Sequence, residues 1–356
     1  MTDQIPALLF LSLAVSSLFL TASPSFGGAV IESCVGAEQQ LSAATNYIER
    51  GNLDESERIL TQLQASHSQC PEVVLGLGRV RAAQGDALEA QRLLSRYTVM
   101  VPQDARGHYY LAWFLFTQGN YQRADTISRQ VLSIRADYPE GIILRAQVLL
   151  IKGQKTEAQE LLQRACELAP TNAEAHFQLG SLFDGNKRHA EAVRQFEKVI
   201  SLNPWDARAY DYLALNLEPL GETESAEAAY KKGLEINQKP FFDSFLDYNY
   251  GRFLLKRNRL AESQSHLDRA LTLAPEARAP RYEHAKLNLR LKKYQEARLD
   301  AERALSLRDP AGFILDLQVY YLLSSVYTRL GEQELARKYV ELSQTTPAPV
   351  QGRERN

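Results

Sequence analysis

The sequence predicts an all-α solenoid of about nine antiparallel helix pairs, and three observations support this prediction. Similar segments recur at a constant spacing, because repeats begin at Pro71, Ala105, Pro139, Ala173 and Ala207, each 34 residues after the previous one. Two positions of every repeat hold small residues, and a turn that usually contains glycine divides each repeat in two. A spacing that is kept without drift indicates a stack of equivalent helix pairs that share one continuous core.

The first residues are predicted to form a signal for export. Residues 7–20, ALLFLSLAVSSLFL, are an apolar run that is followed by the small residues of TASPSFGG. We assign residues 1–27 to a secretory signal peptide that is cleaved between Ala22 and Gly28. The run is preceded by Asp3 and by no Lys or Arg, so an uncleaved signal-anchor helix is the alternative. Against this alternative, the run is shorter than the roughly 20 residues of a membrane span. We therefore expect an exported protein, periplasmic or secreted, in a bacterial envelope.

The array of helix pairs is assigned to residues 34–344. An atypical first repeat begins near Ala37, and the last three repeats begin at Ser244, Arg278 and Leu317 after short insertions. Residues 345–356, TTPAPVQGRERN, are predicted to be a disordered tail. No further helix is predicted to cover the end of the stack, so we expect this uncapped end to favour self-association into a homo-oligomer.

Small residues mark the place where the two helices of each repeat cross. Position 8 of successive repeats, from the second to the ninth, is Gly78, Ala112, Ala146, Gly180, Ala214, Gly251, Ala285 and Ser324. Position 20 is Ala90, Ala124, Ala158, Ala192, Ala226, Ser263, Ala297 and Ala336. Two antiparallel helices approach closely only where neither carries a bulky side chain. Larger apolar residues occupy positions 7, 11 and 24, such as Leu179, Phe183 and Phe196.

Turn residues are predicted to end both helices of a repeat. The first helix ends at Gly85, Gly119, Gly153, Gly221 and Gly331, since glycine suits the left-handed conformation of a helix end. The same turn position is held by Lys187, Asn258 and Lys292 in three other repeats. The second helix is stopped by Pro102, Pro170, Pro204 and Pro275.

With this period, these small residues and these turns, the chain resembles the tetratricopeptide repeat family over roughly residues 37–344. The resemblance implies a right-handed superhelix of helix pairs. It also implies a concave groove, lined by the first helix of each pair, in which a peptide segment or partner protein is bound.

Carried over position by position, the groove is aromatic in the third repeat, acidic in the sixth and basic from the seventh onward. The residues predicted to contact a partner are Arg106, Tyr109, Trp113, Phe116, Phe177, Tyr248, Arg252, Lys256, Tyr282, Lys286, Arg290 and Arg329. Aromatic and arginine side chains most often anchor binding interfaces. The alternative is that neighbouring helices cover the aromatic residues and that the basic residues form a solvated face.

Composition and motifs argue against several other functions. Lys and Arg number 41 against 43 Asp and Glu, so no basic field predicts nucleic-acid binding. The six histidines are scattered, and no HExxH, CxxC, GxSxG or phosphate-binding loop is present. We expect no catalytic residues, no metal and no cofactor, and membrane contact only if the N-terminal segment stays uncleaved.

Two of the three cysteines are predicted to form a disulfide. Cys34 lies just before the first helix and Cys70 just after its antiparallel partner, so the two helices bring these ends together. An exported protein also meets oxidants. The alternative is two unrelated free thiols. Cys166 is expected to be an inert packed thiol.

Two functions are consistent with the sequence. The first is an exported scaffold that holds an extended peptide or partner protein in its groove. The alternative is a structural assembly factor of a cell-envelope complex, such as pilus, secretion or polysaccharide export machinery, which is anchored or self-associating.

Overall fold

The computed structural model describes residues 32–237, 244–309, 312 and 314–346. These residues form eighteen α-helices and one short 3₁₀ turn, Glu32–Cys34. They pack as two compact units, an N-terminal half that ends at Pro204 and a C-terminal half that begins at Trp205. The all-α prediction of about nine helix pairs is confirmed. The predicted signal segment, residues 1–27, and residues 347–356 of the tail lie outside the described residues.

Each half is a series of adjacent antiparallel helix pairs. The helices of the N-terminal half are α1 (Glu38–Glu49), α2 (Leu53–Ser66), α3 (Pro71–Gln84), α4 (Ala87–Met100), α5 (Ala105–Thr117), α6 (Tyr121–Ile134), α7 (Pro139–Ile151), α8 (Lys155–Leu168), α9 (Ala173–Gly185) and α10 (His189–Leu202). Those of the C-terminal half are α11 (Ala207–Leu217), α12 (Thr223–Ile236), α13 (Ser244–Lys256), α14 (Leu260–Leu273), α15 (Arg278–Arg290), α16 (Tyr294–Ser306), α17 (Asp316–Leu330) and α18 (Gln333–Thr345).

The predicted repeat starts coincide with helix starts. Seven of the first helices begin at the predicted residue, and α17 begins at Asp316, one residue before the predicted Leu317. Capping side chains fix several of these starts. For example, the Asp104 carboxylate accepts a hydrogen bond from the Arg106 amide, and the Asn172 side chain accepts one from the Ala175 amide. Such caps satisfy amides that have no partner inside the helix.

The predicted crossing positions are places of close contact within the pairs. A Cβ atom at Gly78 would lie 2.9 Å from a methyl group of Leu94, and one at Gly251 would lie 2.9 Å from Leu267 Cγ. At position 20, Ala192 and Ala226 are fully buried. Small residues at these positions therefore set the distance between the helices of a pair.

The turns adopt the predicted left-handed conformation. Gly85 and Gly331 have φ of 82°. Lys187, Asn258 and Lys292 have φ of 59°, 60° and 61°, so these three residues keep the backbone of the glycine that they replace. The turn is thus left-handed both at glycine and at residues that rarely adopt a positive φ.

Cys34 and Cys70 form a disulfide, with Cα atoms 4.9 Å apart, so this prediction is confirmed. It joins the segment before α1 to the residue that precedes α3, and both cysteines are buried. None of the described helices has the length and apolar character that a membrane span requires.

Candidate partner-binding surface

The first helices of successive repeats contact one another within each half. In the N-terminal half, α3 contacts α5, α5 contacts α7, and α7 contacts α9. In the C-terminal half, α11 contacts α13, α13 contacts α15, and α15 contacts α17. Each half therefore has a continuous face built from first helices, which we call its first-helix face. All the predicted partner-binding residues lie on these helices.

Five aromatic side chains of the third repeat define what we call the aromatic surface: Tyr109, Tyr110, Trp113, Phe116 and Tyr138. The ring of Tyr109 packs edge-on against Tyr110 at 5.1 Å and against Tyr138 at 5.6 Å between centroids. Trp113 and Phe116 follow on α5 at helical spacings that place them beside Tyr109. Of the five, Trp113 alone is exposed, at 36% of its maximal area.

Packing fixes the other four rings of the aromatic surface. Phe116 and Tyr110 lie partly buried against the core of the N-terminal half, and Phe116 meets the ring of Tyr121 edge-on at 5.4 Å. Burial, before any charge effect, raises the pKa of Tyr109, Tyr110 and Tyr138 above the usual phenol value. These tyrosines therefore stay neutral and rigid around an exposed tryptophan.

Arg106 is held in an ion-pair network that joins the second and third repeats. Its Nη2 lies 2.8 Å from Glu72 Oε1 and 2.5 Å from Asp104 Oδ2. The Tyr97 hydroxyl donates to Asp104 Oδ2 at 2.6 Å. Burial alone raises the pKa of Asp104, but Arg106 and Tyr97 outweigh it and hold that pKa below its usual value. Arg106 therefore borders the aromatic surface with its charge largely engaged.

The acidic and basic residues of the C-terminal half are paired with each other. Glu218 of the sixth repeat contacts Arg252 Nη2 at 3.1 Å and Lys256 Nζ at 2.9 Å, both from the seventh repeat. Burial by itself raises the pKa of Glu218, but Arg252, the Tyr230 hydroxyl and Lys256 together hold it below its usual value. The charges predicted for the sixth and seventh repeats are thus partly neutralised by ion pairs between these two repeats.

Lys286 is also engaged within its own helix. Its Nζ lies 2.8 Å from Glu283 Oε2 and sits 5.3 Å from the centre of the Tyr282 ring. Burial, followed by the charge of Glu283, raises the pKa of Tyr282 to about 12. Arg290 and Arg329 are exposed at the ends of α15 and α17.

Two of the predicted contact residues are core residues in the structure. Phe177 is 6% exposed and packs edge-on against Phe196 at 5.6 Å. Tyr248 is 8% exposed and its ring meets Phe245 at 6.4 Å. Their side chains offer little surface to a partner, because both are buried.

Sequence reasoning missed a set of polar pairs inside the repeats. Positions 4 and 23 are paired in three of them: His176 with Gln195 at 2.8 Å, His266 with Asp247 at 2.7 Å, and Arg281 with Asp300 at 3.2 Å. The available signal was that both positions turn polar in the same repeat. Among the described residues, no group of three or more His, Cys, Asp or Glu side chains is arranged to hold a metal ion.

Models of the tetratricopeptide repeat match most of the chain. The matched residues are 41–90, 75–127 and 248–312 for one model, 139–182 for a second, and 173–204, 207–240 and 317–345 for a third. These ranges include most or all of every first helix described above.

Curated relatives are similar over part of their length. The human protein O-mannosyl-transferase TMTC3 is 24% identical over 236 residues, which are 61% of this chain and 26% of that protein. Anaphase-promoting complex subunit 3 of Schizosaccharomyces pombe is 20% identical over 217 residues, 61% of this chain and 31% of that protein. The chain thus spans between a quarter and a third of the length of these relatives.

Solved structures share the fold. The anaphase-promoting complex hetero-tetramer Cut9–Hcn1 matches with a TM-score of 0.64 at 14% identity, covering 87% of this chain and 60% of that one. Human IFIT1, in a dimer with PPP-AAAA, matches with a TM-score of 0.58 at 18% identity, covering 86% of this chain and 72% of that one. At these identities the likeness concerns the architecture of stacked helix pairs.

Proposed function

The chain belongs to the tetratricopeptide repeat family, and from that premise we propose that it is a non-enzymatic scaffold for a partner protein. The partner's extended segment lies along the first-helix face of the N-terminal half and is anchored on the aromatic surface. The observation that carries this proposal is Trp113, an exposed tryptophan set among tyrosines that are fixed by mutual packing.

The aromatic surface has the properties of an interface anchor. Aromatic side chains dominate binding hot spots because they bury a large area and lose little conformational freedom. Tyr109 and Tyr138 are ordered before any partner arrives, which lowers the entropy lost on binding. An apolar side chain of the partner packs on Trp113, and the nearby Arg106 network supplies a polar border.

The relatives' names include both transferases and a subunit of an assembly. The S. pombe relative is a subunit of the anaphase-promoting complex, and the human relative is a transferase of which this chain matches 26%. A repeat whose positions are occupied by packing residues leaves few for chemistry. We therefore carry over partner binding and not transferase activity.

We also propose that the protein works after export. The Cys34–Cys70 disulfide supports this, since disulfides persist in oxidising compartments. The same observation is consistent with the second candidate, a structural assembly factor of a cell-envelope complex that is anchored or self-associating. Affinity capture from the native envelope with the full chain as bait, followed by mass spectrometry, distinguishes a single bound client from a multi-component assembly.

Trp113→Ala tests the anchor once a captured partner is in hand. We expect partner affinity to fall roughly 30-fold, the equivalent of about 2 kcal/mol, mostly through faster dissociation in surface plasmon resonance. Trp205→Ala is the matched control, because Trp205 is the chain's other tryptophan and is 78% exposed outside the first helices. Equal affinities for wild type and Trp113→Ala, or an equal loss with Trp205→Ala, would exclude the aromatic surface as the anchor.

A further inference from the structure

The eighth repeat has no large apolar side chain at any of positions 7, 11 and 24, whereas the second, third and fourth repeats each lack one at a single one of these positions. In the fifth repeat, positions 7, 11 and 24 are filled by Leu179, Phe183 and Phe196, all buried. The eighth repeat has at these positions His284, Asn288 and Ala301. Because these side chains are smaller or polar, a cleft of about 660 Å³, including the space open to solvent, lies between α14 and α16 above α15.

The floor of this cleft is a rigid polar network. His284 Nδ1 lies 2.6 Å from Asp300 Oδ2, and His284 Nε2 lies 3.1 Å from Asp268 Oδ1. Asn288 donates to Asp300 Oδ2 at 2.9 Å, and Arg281 contacts Asp300 Oδ1 at 3.2 Å. Asn288 and Asp300 are 3% and 9% exposed, so buried hydrogen bonds fix the floor before any ligand binds.

The walls of the cleft present carboxylates and one apolar side chain to solvent. Gln264 and Asp268 lie on α14, and Glu296 and Leu299 lie on α16. Lys293 is the residue that precedes α16. The Asp268 side chain is 52% exposed and Leu299 is 58% exposed. The lining residues thus carry three carboxylates and one lysine. Asp300 of the floor is already engaged by Arg281, His284 and Asn288, so the carboxylates that remain for a ligand are Asp268 and Glu296 of the walls, with Leu299 as an apolar contact at the rim.

We propose that this cleft binds the basic side chain, lysine or arginine, of a protein partner. Hydrogen bonds from a cationic donor to a carboxylate are stronger than those between neutral groups, and Asp268 of α14 and Glu296 of α16 supply one carboxylate from each wall. The aliphatic stem of such a side chain packs on Leu299 while its charged head enters the cleft. This site lies in the C-terminal half and is separate from the aromatic surface of the N-terminal half, so it stands on its own observations.

The test uses the full chain with ¹⁵N-labelled histidine and two small probes. Nα-acetyl-arginine amide carries the proposed cation, and Nα-acetyl-citrulline amide has nearly the same shape without the charge. We expect the ring signals of His284 to shift and saturate with the arginine probe in the millimolar range. The citrulline probe should bind at least fivefold more weakly.

Variants locate the effect. The double variant Asp268→Asn, Glu296→Gln should bind the arginine probe at least tenfold more weakly than wild type. Shifts are measured from the spectrum of the same variant without probe. Glu197→Gln is the matched control. Glu197 holds in the fifth repeat the position that Asp268 holds in the seventh, and the repeat that follows Glu197 has the large side chains Leu213, Leu217 and Tyr230 at positions 7, 11 and 24.

Three results would overturn the proposal: no shift at His284, equal binding of both probes, or an equal loss with Glu197→Gln. Trp113→Ala should leave binding of the arginine probe unchanged. A negative result at this cleft therefore does not affect the proposal for the aromatic surface, and the reverse also holds.

Discussion

At the scale of single residues, three turn positions hold a side chain in a backbone conformation that favours glycine. Lys187 and Lys292 have φ near 60°, where a Cβ atom comes too close to the following carbonyl oxygen. The turn between the two packed helices requires this conformation, so the lysine backbone stays strained. Asn258 tolerates the same conformation better because its short side chain can hydrogen-bond nearby.

Replacing Lys187 or Lys292 with glycine should stabilise the protein by about 0.5–1 kcal/mol each. The gain is the relieved strain, reduced by the greater freedom of glycine in the unfolded chain. Urea unfolding followed by circular dichroism measures it. Gly153→Lys, at a turn with φ of 79°, is the reverse control and should lose stability by a similar amount. Unchanged midpoints for all three variants would show that the turns carry no strain.

Gly107 is the described glycine at which an added Cβ atom would come closest to a neighbouring side chain. A Cβ atom there would lie 2.2 Å from Cδ1 of Tyr97, whose side chain is fully buried and bonded to Asp104. We expect Gly107→Ala to destabilise the protein by roughly 1–3 kcal/mol through overpacking. Gly185→Ala is the control, since nothing lies within 4 Å of its added methyl group. Alanine also has the higher helix propensity, so a loss at Gly185 equal to that at Gly107 would contradict the steric explanation.

At the scale of helices, ion pairs join elements of successive repeats in the C-terminal half. Glu227 of α12 lies 2.7 Å from Arg259, the residue before α14, and 2.7 Å from Lys231. Hydrogen bonds from Arg259 and Lys231 lower the pKa of Glu227 to about 2. A charged Glu227 therefore ties α12 to the turn of the next repeat.

This lowered pKa predicts a pH dependence of stability. A carboxyl group whose pKa is lower in the folded state stabilises the fold above its unfolded pKa of roughly 4.3. That contribution is lost as pH falls from there toward 2. Glu227→Gln should thus cost at most about 1 kcal/mol at pH 7, because the pair is partly solvated, and progressively less below pH 4.5. Glu224→Gln, on the same helix, is the control. A pH-independent cost between pH 2 and 7 would contradict this origin.

At the scale of the whole molecule, each repeat packs mainly on its neighbours, so the first and last of the described repeats each have a neighbouring repeat on one side only. At the N-terminal end the disulfide supplies a covalent constraint, closing a loop between residues that are 36 apart in sequence. Such a loop is worth roughly 3–4 kcal/mol in the chain-entropy model. Hydrogen bonds reinforce the same closure, with Ser33 donating to the Gln69 carbonyl at 3.1 Å.

The bonded form should have a mass two daltons below that of the form with both thiols free. Replacing Cys34 and Cys70 with serine should speed amide exchange in α1 and α2 and leave α15 and α16 unchanged, because stability in a stack is local. Hydrogen exchange with mass spectrometry measures both regions. Alkylation of both cysteines under non-reducing, denaturing conditions, or uniform destabilisation along the chain, would contradict this role.

The sequence by itself determined the helix pairs and their limits. Small residues recur at positions 8 and 20, and a turn residue recurs at a fixed spacing from them. Each of these residues affects only the helix that contains it or the other helix of the same pair. Even Lys187 kept the turn where glycine was absent. Local signals of this kind can be read along the chain, because the residues that decide them are near one another in sequence.

Only the tertiary structure decided which of the predicted contact residues face solvent and which charges are free. Phe177 and Trp113 are both aromatic residues on first helices, yet one is buried by Phe196 and the other is exposed. Glu218 and Arg252, 34 residues apart, neutralise each other across two repeats. The physical reason is that a helical position fixes the direction of a side chain, whereas its burial and its charge partners are supplied by other helices.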